Sequence, residues 1–294
     1  MTDPREAAAV LALMGRRDGL TRSRRLAGAI EEEGSAVALM TRGRPGETAS
    51  LLHAEAPEIA EQAERVRAWE RRGIRLVTVL DEAYPVNLRI VHDRPPVLFH
   101  RGELMPENER AVAVVGARRA GSSGLARARA IARELCAAGY VVVSGLAAGI
   151  DTAAHTAALA AGGRTLAVIG TGLDHCFPPE NRELQDRIAR EHALVSQFPP
   201  DQGPRRWTFP QRNAVMSGLS RATVIVEASH TSGARIQARL ALDHGRPVFL
   251  LESVLEQAWA REDRERPGVY VVGGCEEIVG HLERLYSDRL ELER

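Results

Sequence analysis

Several short stretches place anion-holding residue types where a chain turns. The first is "VAVVGARRAGSSGLARARAIA", residues 112–132. Gly116 ends an apolar run, Gly121 and Gly124 allow a tight loop, and a helix follows. Free N–H groups and the dipole at such a helix start suit an anion. Arg118 and Arg119 sit at the loop tip. The spacing is neither GxGxxG nor GxxxxGK[ST]. The second stretch is "YVVVSGLAAGIDTAAHTAALAAGG", residues 140–163. Ser144, Gly145 and Gly149 make a compact turn, and Asp151 stands where an N-cap belongs. Its carboxylate is expected to replace an external anion at that helix end, leaving Ser144, Gly145 and neighbouring N–H groups for a phosphate. Asp151 and His155 are spaced to pair on one helix face, and His155 reads as structural.

In "LAVIGTGLDHCFPPENRELQ", Gly170 and Gly172 form a turn. Phe177 suits either base stacking or the core, and Asn181 is expected to cap the next helix. "RRWTFPQRNAVMSGLS" interleaves Arg205, Arg206 and Arg212 with Trp207 and Phe209, beside Asn213. Charge for a backbone and rings for bases are what single-stranded nucleic acid requires. In "VIVEASHTSGARIQARLALDHG" a strand ends at Glu227 and "TSGA" opens a helix. No carboxylate pair, Ser–His–Asp order or metal-ligand cluster emerges. Cys136, Cys176 and Cys275 are too scattered for a metal site and read as reduced thiols. The expectation is a binder with no catalytic residue, no cofactor and no metal.

The elements that must position these residues follow from periodicity. Residues 1 to about 70 read as a bundle of three short helices. Thr21 is expected to cap a helix ending at Gly34, and Ser35 the next. "APEIAEQAERVRAWERRG" runs as a helix to Gly73. Arg22, Arg24 and Arg25 form a basic cluster, read as a solvated face that could meet a phosphate backbone. "IRLVTVLD" alternates like a strand, and an extended connector with a small strand at "PVLFHRG" follows. From Ala111, strands alternate with helices over Ser123–Ala138, Asp151–Ala161, Asn181–Glu191 and Gly233–His244. The strands are near-continuous Val, Ile and Leu, as in strands buried on both faces. This predicts an α/β, doubly wound, mostly parallel sheet, whose ligands bind at the carboxyl ends of its strands.

Composition sets the outer limits. Of 294 residues, 44% are apolar and 27% charged, with net charge zero. That is ordinary for a globular protein and argues against coating DNA indiscriminately. All 39 basic residues are Arg, so side-chain phosphate contacts must come from a planar, bidentate fork. No stretch approaches the roughly 20 apolar residues of a membrane span, and "MTDPREAAAV" has no signal pattern. A cytoplasmic protein with no membrane partner is expected.

The order of "YPVNLRIVHDRPPVLFHRG", "VAVVGAR", "VVVSGLAAGIDTAAH", "LAVIGTGLDHCFPPEN", "FPQRN" and "VIVEASHTSGA" resembles the DprA/Smf family of DNA-processing proteins. The resemblance spans about residues 84–234. It implies a small helical SAM-like domain over 1–72 and an extended Rossmann-like domain over 73–294. It also implies single-stranded DNA binding, a homodimer, and handing of DNA to the recombinase RecA in natural transformation. Carried over by position, the pocket takes in Arg118 of "VGAR" with Gly116 and Arg119 beside it, Ser144, Gly145, Phe177, Asn181, Arg212, Asn213, Ser232 and Gly233. The chain departs from the pattern at Ala214, at "SGARIQA", at "LLESVLEQAWA" and at "AREDRERPG". The family's C-terminal winged helix is expected to be absent. The alternative is a nucleotide sensor or phosphoribohydrolase of the wider Rossmann-like relatives. The "PGGxGTxxE" segment of those hydrolases is missing, and a nicotinamide dehydrogenase lacks its fingerprint.

Overall fold

The computed structural model describes residues 3–15, 25–42, 57–229 and 232–292. Thr21, Arg22 and Arg24 lie outside the described residues. Four helices come first: α1 (Pro4–Gly15), α2 (Leu26–Glu33), α3 (Ala36–Arg42) and α4 (Pro57–Glu70). The sequence pattern predicts three, with one break placed at Gly34. Gly34 divides α2 from α3, because its φ of +71° is open to glycine at little cost. Its N–H closes on Ile30 O while Ser35 Oγ accepts from Ala38 N–H at 3.1 Å, the expected cap of α3.

Then follow β1 (Arg75–Thr78), α5 (Val86–Arg89), β2 (Val97–Gly102), β3 (Ala111–Gly116), α6 (Ser122–Ala137), β4 (Val141–Ser144) and α7 (Ile150–Ala160). The chain continues through β5 (Thr165–Val168), α8 (Arg182–Glu191), β6 (Ala193–Ser196), α9 (Thr208–Leu219), β7 (Ala222–Glu227) and α10 (Gly233–Asp243). It closes with β8 (Val248–Leu251), α11 (Ala258–Asp263), β9 (Val269–Val272) and α12 (Cys275–Leu292). Among the described residues no helix is long and apolar enough to cross a membrane.

The strands form one sheet in the order β1-β2-β6-β5-β4-β3-β7-β8-β9. From β6 to β9 every pairing is parallel, and β1 and β2 add an antiparallel edge beyond β6. The sheet is the doubly wound, mostly parallel arrangement the apolar runs predict. Burial on both faces is the cause: β4, β5, β6 and β8 expose no residue. The chain leaves β3 towards β4, β5 and β6, then returns to β3's other side as β7. That reversal opens a crevice at the carboxyl ends of β3 and β7.

The helical segment packs on the antiparallel edge. Trp69 of α4 meets Phe99 of β2 edge-on, ring centres 5.3 Å apart. Glu31 of α2 accepts from Arg89 at 3.2 Å and from Arg94 Nε at 3.0 Å, which pins the connector between β1 and β2.

Four helices lie where the sequence pattern predicts none: α5, α9, α11 and α12. The short α5 interrupts the connector read as extended. Helix α9 spans the Arg-aromatic segment. Pro210 stands in its first turn, where the missing N–H has no intrahelical partner to lose. Arg212 and Asn213 are buried there among apolar residues, so the amphipathic stripe that would advertise a helix is absent.

Candidate nucleic-acid interface

A cleft of about 1030 Å³ opens at the β3–β7 reversal. The end of β3, the loop after it, Phe177, α9 and the start of α10 line it. Of the expected residues, Gly116, Arg118, Arg119, Phe177, Arg212, Asn213, Ser232 and Gly233 come together on its walls. Ser144, Gly145 and Asn181 do not line it.

Local sequence explains how the loop after β3 is held. A Cβ on Gly116 would stand 2.6 Å from the Ile150 side chain and 2.7 Å from Glu227 O. Only glycine lets β3 pass that close. Ala117 N–H then donates to Glu227 O at 2.7 Å, and Ile150 N–H donates to Ala117 O at 3.2 Å. The backbone is thereby tied to β7 and α7, and Arg118 and Arg119 extend exposed from it. The Arg118 guanidinium lies 5.6 Å from the Phe209 ring centre, and Phe177 lies 5.5 Å from the same ring. One charge and two rings therefore form a continuous platform on the wall.

Both helix-end anion sites anticipated from the glycine turns are filled by the protein itself. At the start of α6, Glu227 Oε1 accepts from Gly121 N–H at 3.1 Å. Asp151 is not the cap of α7. Gly149 holds the N-cap position, and Asp151 is inside the first turn. Its Oδ2 turns back to accept from Gly145 N–H at 3.1 Å and Ala147 N–H at 3.3 Å. The carboxylate closes the turn after β4 instead of capping the next helix.

The same contacts remove Ser144 and Gly145 from the open surface. Ser144 Oγ donates to Val114 O at 2.7 Å and is fully buried. The Gly145 N–H is taken by Asp151, and a Cβ there would stand 1.3 Å from Arg212 Nη1. Arg212 therefore lies flat on Gly145, and its Nη1 donates to Val168 O at 3.1 Å. Burial lowers its pKa, and the facing Asp151 charge opposes that shift. Burial raises the Asp151 carboxyl, with Arg212 and the two N–H groups pulling it back.

Asn181 stands at the N-cap position of α8 without capping it. Its Nδ2 donates to Leu146 O at 2.8 Å and Thr152 Oγ1 at 2.9 Å, which ties the α8 start to the Asp151 turn. Ser232 does cap α10, accepting from Ala234 N–H at 3.2 Å. Gly233 beside it is exposed. Trp207 is 53% exposed and packs edge-on to Phe198, 5.7 Å away. Arg206 and Arg127 also line the cleft. The Gly-rich loops give no signal for Arg127, which joins only because α6 brings it one turn down.

His155 does not pair with Asp151. Its Nδ1 lies 2.7 Å from Thr165 Oγ1, whose hydroxyl donates to Val142 O at 2.8 Å. The imidazole Nδ1–H is therefore the donor to Thr165. Burial pushes the His155 pKa from 6.5 down to about 3. The folded value lies below the unfolded one, so this contribution is complete above about pH 6.5 and is lost as pH falls towards 3. Urea melts between pH 7.5 and 4.5 should show His155→Gln losing less stability than wild type, by about 1.4 kcal/mol for each pH unit below about 6.5. Equal slopes for the two proteins would mean that the ring is protonated in the fold.

Residues 75–266 match the family model described as DNA recombination-mediator protein A. The chain is 38% identical over 194 residues to the DNA processing protein DprA of Bacillus subtilis, a match covering 66% of this chain and 65% of that one. It thus spans just under two thirds of that relative's length. The X-ray structure of DprA from Streptococcus pneumoniae superposes with a TM-score of 0.72 at 31% identity, covering 95% of this chain and 98% of that one. DprA from Helicobacter pylori, solved to describe its single-stranded DNA binding mode, gives a TM-score of 0.62 at 27% identity. That second match covers 71% of this chain and 96% of the other. The Rossmann-like sheet, the crevice at its reversal and these matches agree: the chain belongs to the DNA recombination-mediator protein A family, the DNA-processing proteins called DprA or Smf.

Proposed function

We propose that this protein binds single-stranded DNA in the β3–β7 cleft and passes it to a RecA-type recombinase, without itself catalysing a reaction. The observation that carries the reading is the wall formed by Arg118, Phe209 and Phe177. A guanidinium placed over a ring, with a second ring alongside, offers charge to a phosphate and faces to unstacked bases. A duplex keeps its bases stacked inside and offers nothing to those faces. The Helicobacter pylori relative supports the choice of ligand. A homodimer, with helical residues 1–72 and the sheet residues 73–294 as separate units, completes the proposal. Cytoplasmic location goes with it, as the compartment that holds a recombinase.

Fluorescence anisotropy with a labelled oligonucleotide tests the ligand. At about 0.15 M salt, where weak phosphate contacts are screened, the single strand should bind at least tenfold tighter than the same sequence as a duplex. Equal affinities would remove the rings from the account. The hand-off is read separately: substoichiometric protein should shorten the lag of RecA filament formation on single strands, and an unchanged lag would overturn it.

A further inference from the structure

Away from the cleft, at the opposite ends of the strands, the fold gathers a second group of chemically capable side chains. His92, Asp93 and His244 each offer one ligand atom, and the three atoms lie within 4.8 Å of one another. No other such group of His, Cys, Asp and Glu occurs among the described residues. His92 and Asp93 are on the connector between α5 and β2, and His244 ends α10. Asp93 and His244 are 151 positions apart, so no sequence spacing could reveal the group.

We propose that His92, Asp93 and His244 bind one zinc ion. Two imidazoles and a carboxylate are borderline nitrogen and oxygen donors, a set zinc takes readily and magnesium does not. The geometry is near what zinc requires. Ligands at about 2.0–2.2 Å in a tetrahedron stand roughly 3.3–3.5 Å apart. His244 Nε2 and Asp93 Oδ1 are 2.7 Å apart and must open slightly, while no separation in the group exceeds 4.8 Å, so none must close by more than about 1.5 Å. His92 and His244 already face each other edge-on, with ring centres 5.5 Å apart. Water would complete the four positions.

The surroundings are built in the way zinc-ligating histidines are held. The second nitrogen of His244, Nδ1, lies 3.0 Å from Ser217 Oγ on α9. A ligating imidazole needs its other N–H fixed by an acceptor. On binding, the Nε2 hydrogen that now faces Asp93 gives way to the metal, the ring carries its hydrogen on Nδ1, and Ser217 Oγ accepts it. The His244 side chain is fully buried and that of Asp93 is 6% exposed, so both are held in place before the ion arrives. His92 is exposed and closes the site from the solvent side.

The position gives the ion a structural consequence. It would tie the connector to α9 and α10, the two helices whose other ends present Arg212, Asn213, Ser232 and Gly233 to the cleft. Burial pushes the thiols of Cys136 and Cys275 up to about 11 and about 12, which leaves little thiolate to compete for zinc at neutral pH.

The test uses the full chain after exhaustive dialysis against chelator. Zinc chloride is titrated at pH 7.5 by calorimetry, with bound metal counted by atomic absorption and magnesium chloride as the control. The expected result is one zinc per chain, no magnesium binding, and a melting temperature that rises with zinc. His92→Ala, which removes an exposed ligand and leaves the buried pair intact, should weaken zinc at least tenfold with an unchanged circular dichroism spectrum. Ser217→Ala should weaken it by about 10–100-fold. Cobalt substitution should give visible bands without the near-ultraviolet thiolate band. Zinc that fails to bind at micromolar concentration, that binds His92→Ala as tightly as wild type, or whose cobalt form shows the thiolate band would overturn the proposal.

Discussion

Replacing Arg118 and Arg119 together with alanine should weaken single-stranded DNA binding by about a hundredfold at roughly 0.15 M salt. Strand-to-helix turns ordinarily offer phosphate the free N–H groups of a helix start. Here Glu227 occupies the start of α6, and Asp151 occupies the turn before α7. With those places filled by carboxylates, a phosphate in the cleft depends on guanidinium groups. Arg118 and Arg119 are exposed on a loop fixed by backbone bonds to β7 and α7, so their charge is presented with little ordering left to do. A charge-assisted contact is worth about 1.5–3 kcal/mol, and losing two at the low end costs about 3 kcal/mol, or roughly two decades in affinity. The slope of log affinity against log salt should flatten by about 0.7 for each arginine. Stability should not move, because neither side chain fills the core. If affinity and slope both survive the double change, the strand does not run past this loop, and the cleft is not the interface.

Around this cleft, residue type and local pattern disclose some features and withhold others. The sheet is legible because β3 to β8 are runs of Val, Ile, Leu and Ala whose burial on both faces leaves no alternative placement. The cleft is legible for the same reason, since strand ends in such a sheet face one side. Arg118, Phe177 and Arg212 stand out as candidates from their types at those ends. The partners of the glycine turns do not. Nothing near Gly145 announces that Arg212, from α9, lies against it. Nothing near Gly121 announces Glu227. Asp151 resembles a cap because an Ala-rich helix begins beside it, whereas its bonds run to the residues before it. In each case the deciding contact comes from a geometry that packing sets and local pattern does not record. The concealment of α9 has the same origin: its buried face carries Arg212 and Asn213, polar residues that only the crevice makes tolerable.

Asp151→Ala should cost about 2–4 kcal/mol of stability, well above the roughly 1 kcal/mol of a lost helix cap. The carboxylate does two things at once. It accepts from the N–H groups of Gly145 and Ala147, closing the turn. Its charge also acts on the guanidinium of Arg212, which is only 6% exposed. Alanine leaves two buried donors unmade and takes away the nearest opposing charge that offsets the burial of Arg212. Asp151→Asn separates the two effects. Its amide oxygen still accepts from the turn while the charge is gone, so its cost should fall between wild type and alanine, at about 1–3 kcal/mol. Single-stranded DNA should bind the folded asparagine variant as tightly as wild type or more tightly, because a negative charge beside the phosphate path has been removed. Urea melts of both variants, with binding titrations at concentrations where each is folded, decide the matter. A loss near 1 kcal/mol for alanine and none for asparagine would return Asp151 to the role of a simple cap. A sharp fall in DNA affinity for folded Asp151→Asn would mean that the carboxylate itself meets the ligand, through a base edge or a bound cation, and the proposed path of the strand past Arg118 and Phe209 would have to be redrawn through the floor of the cleft.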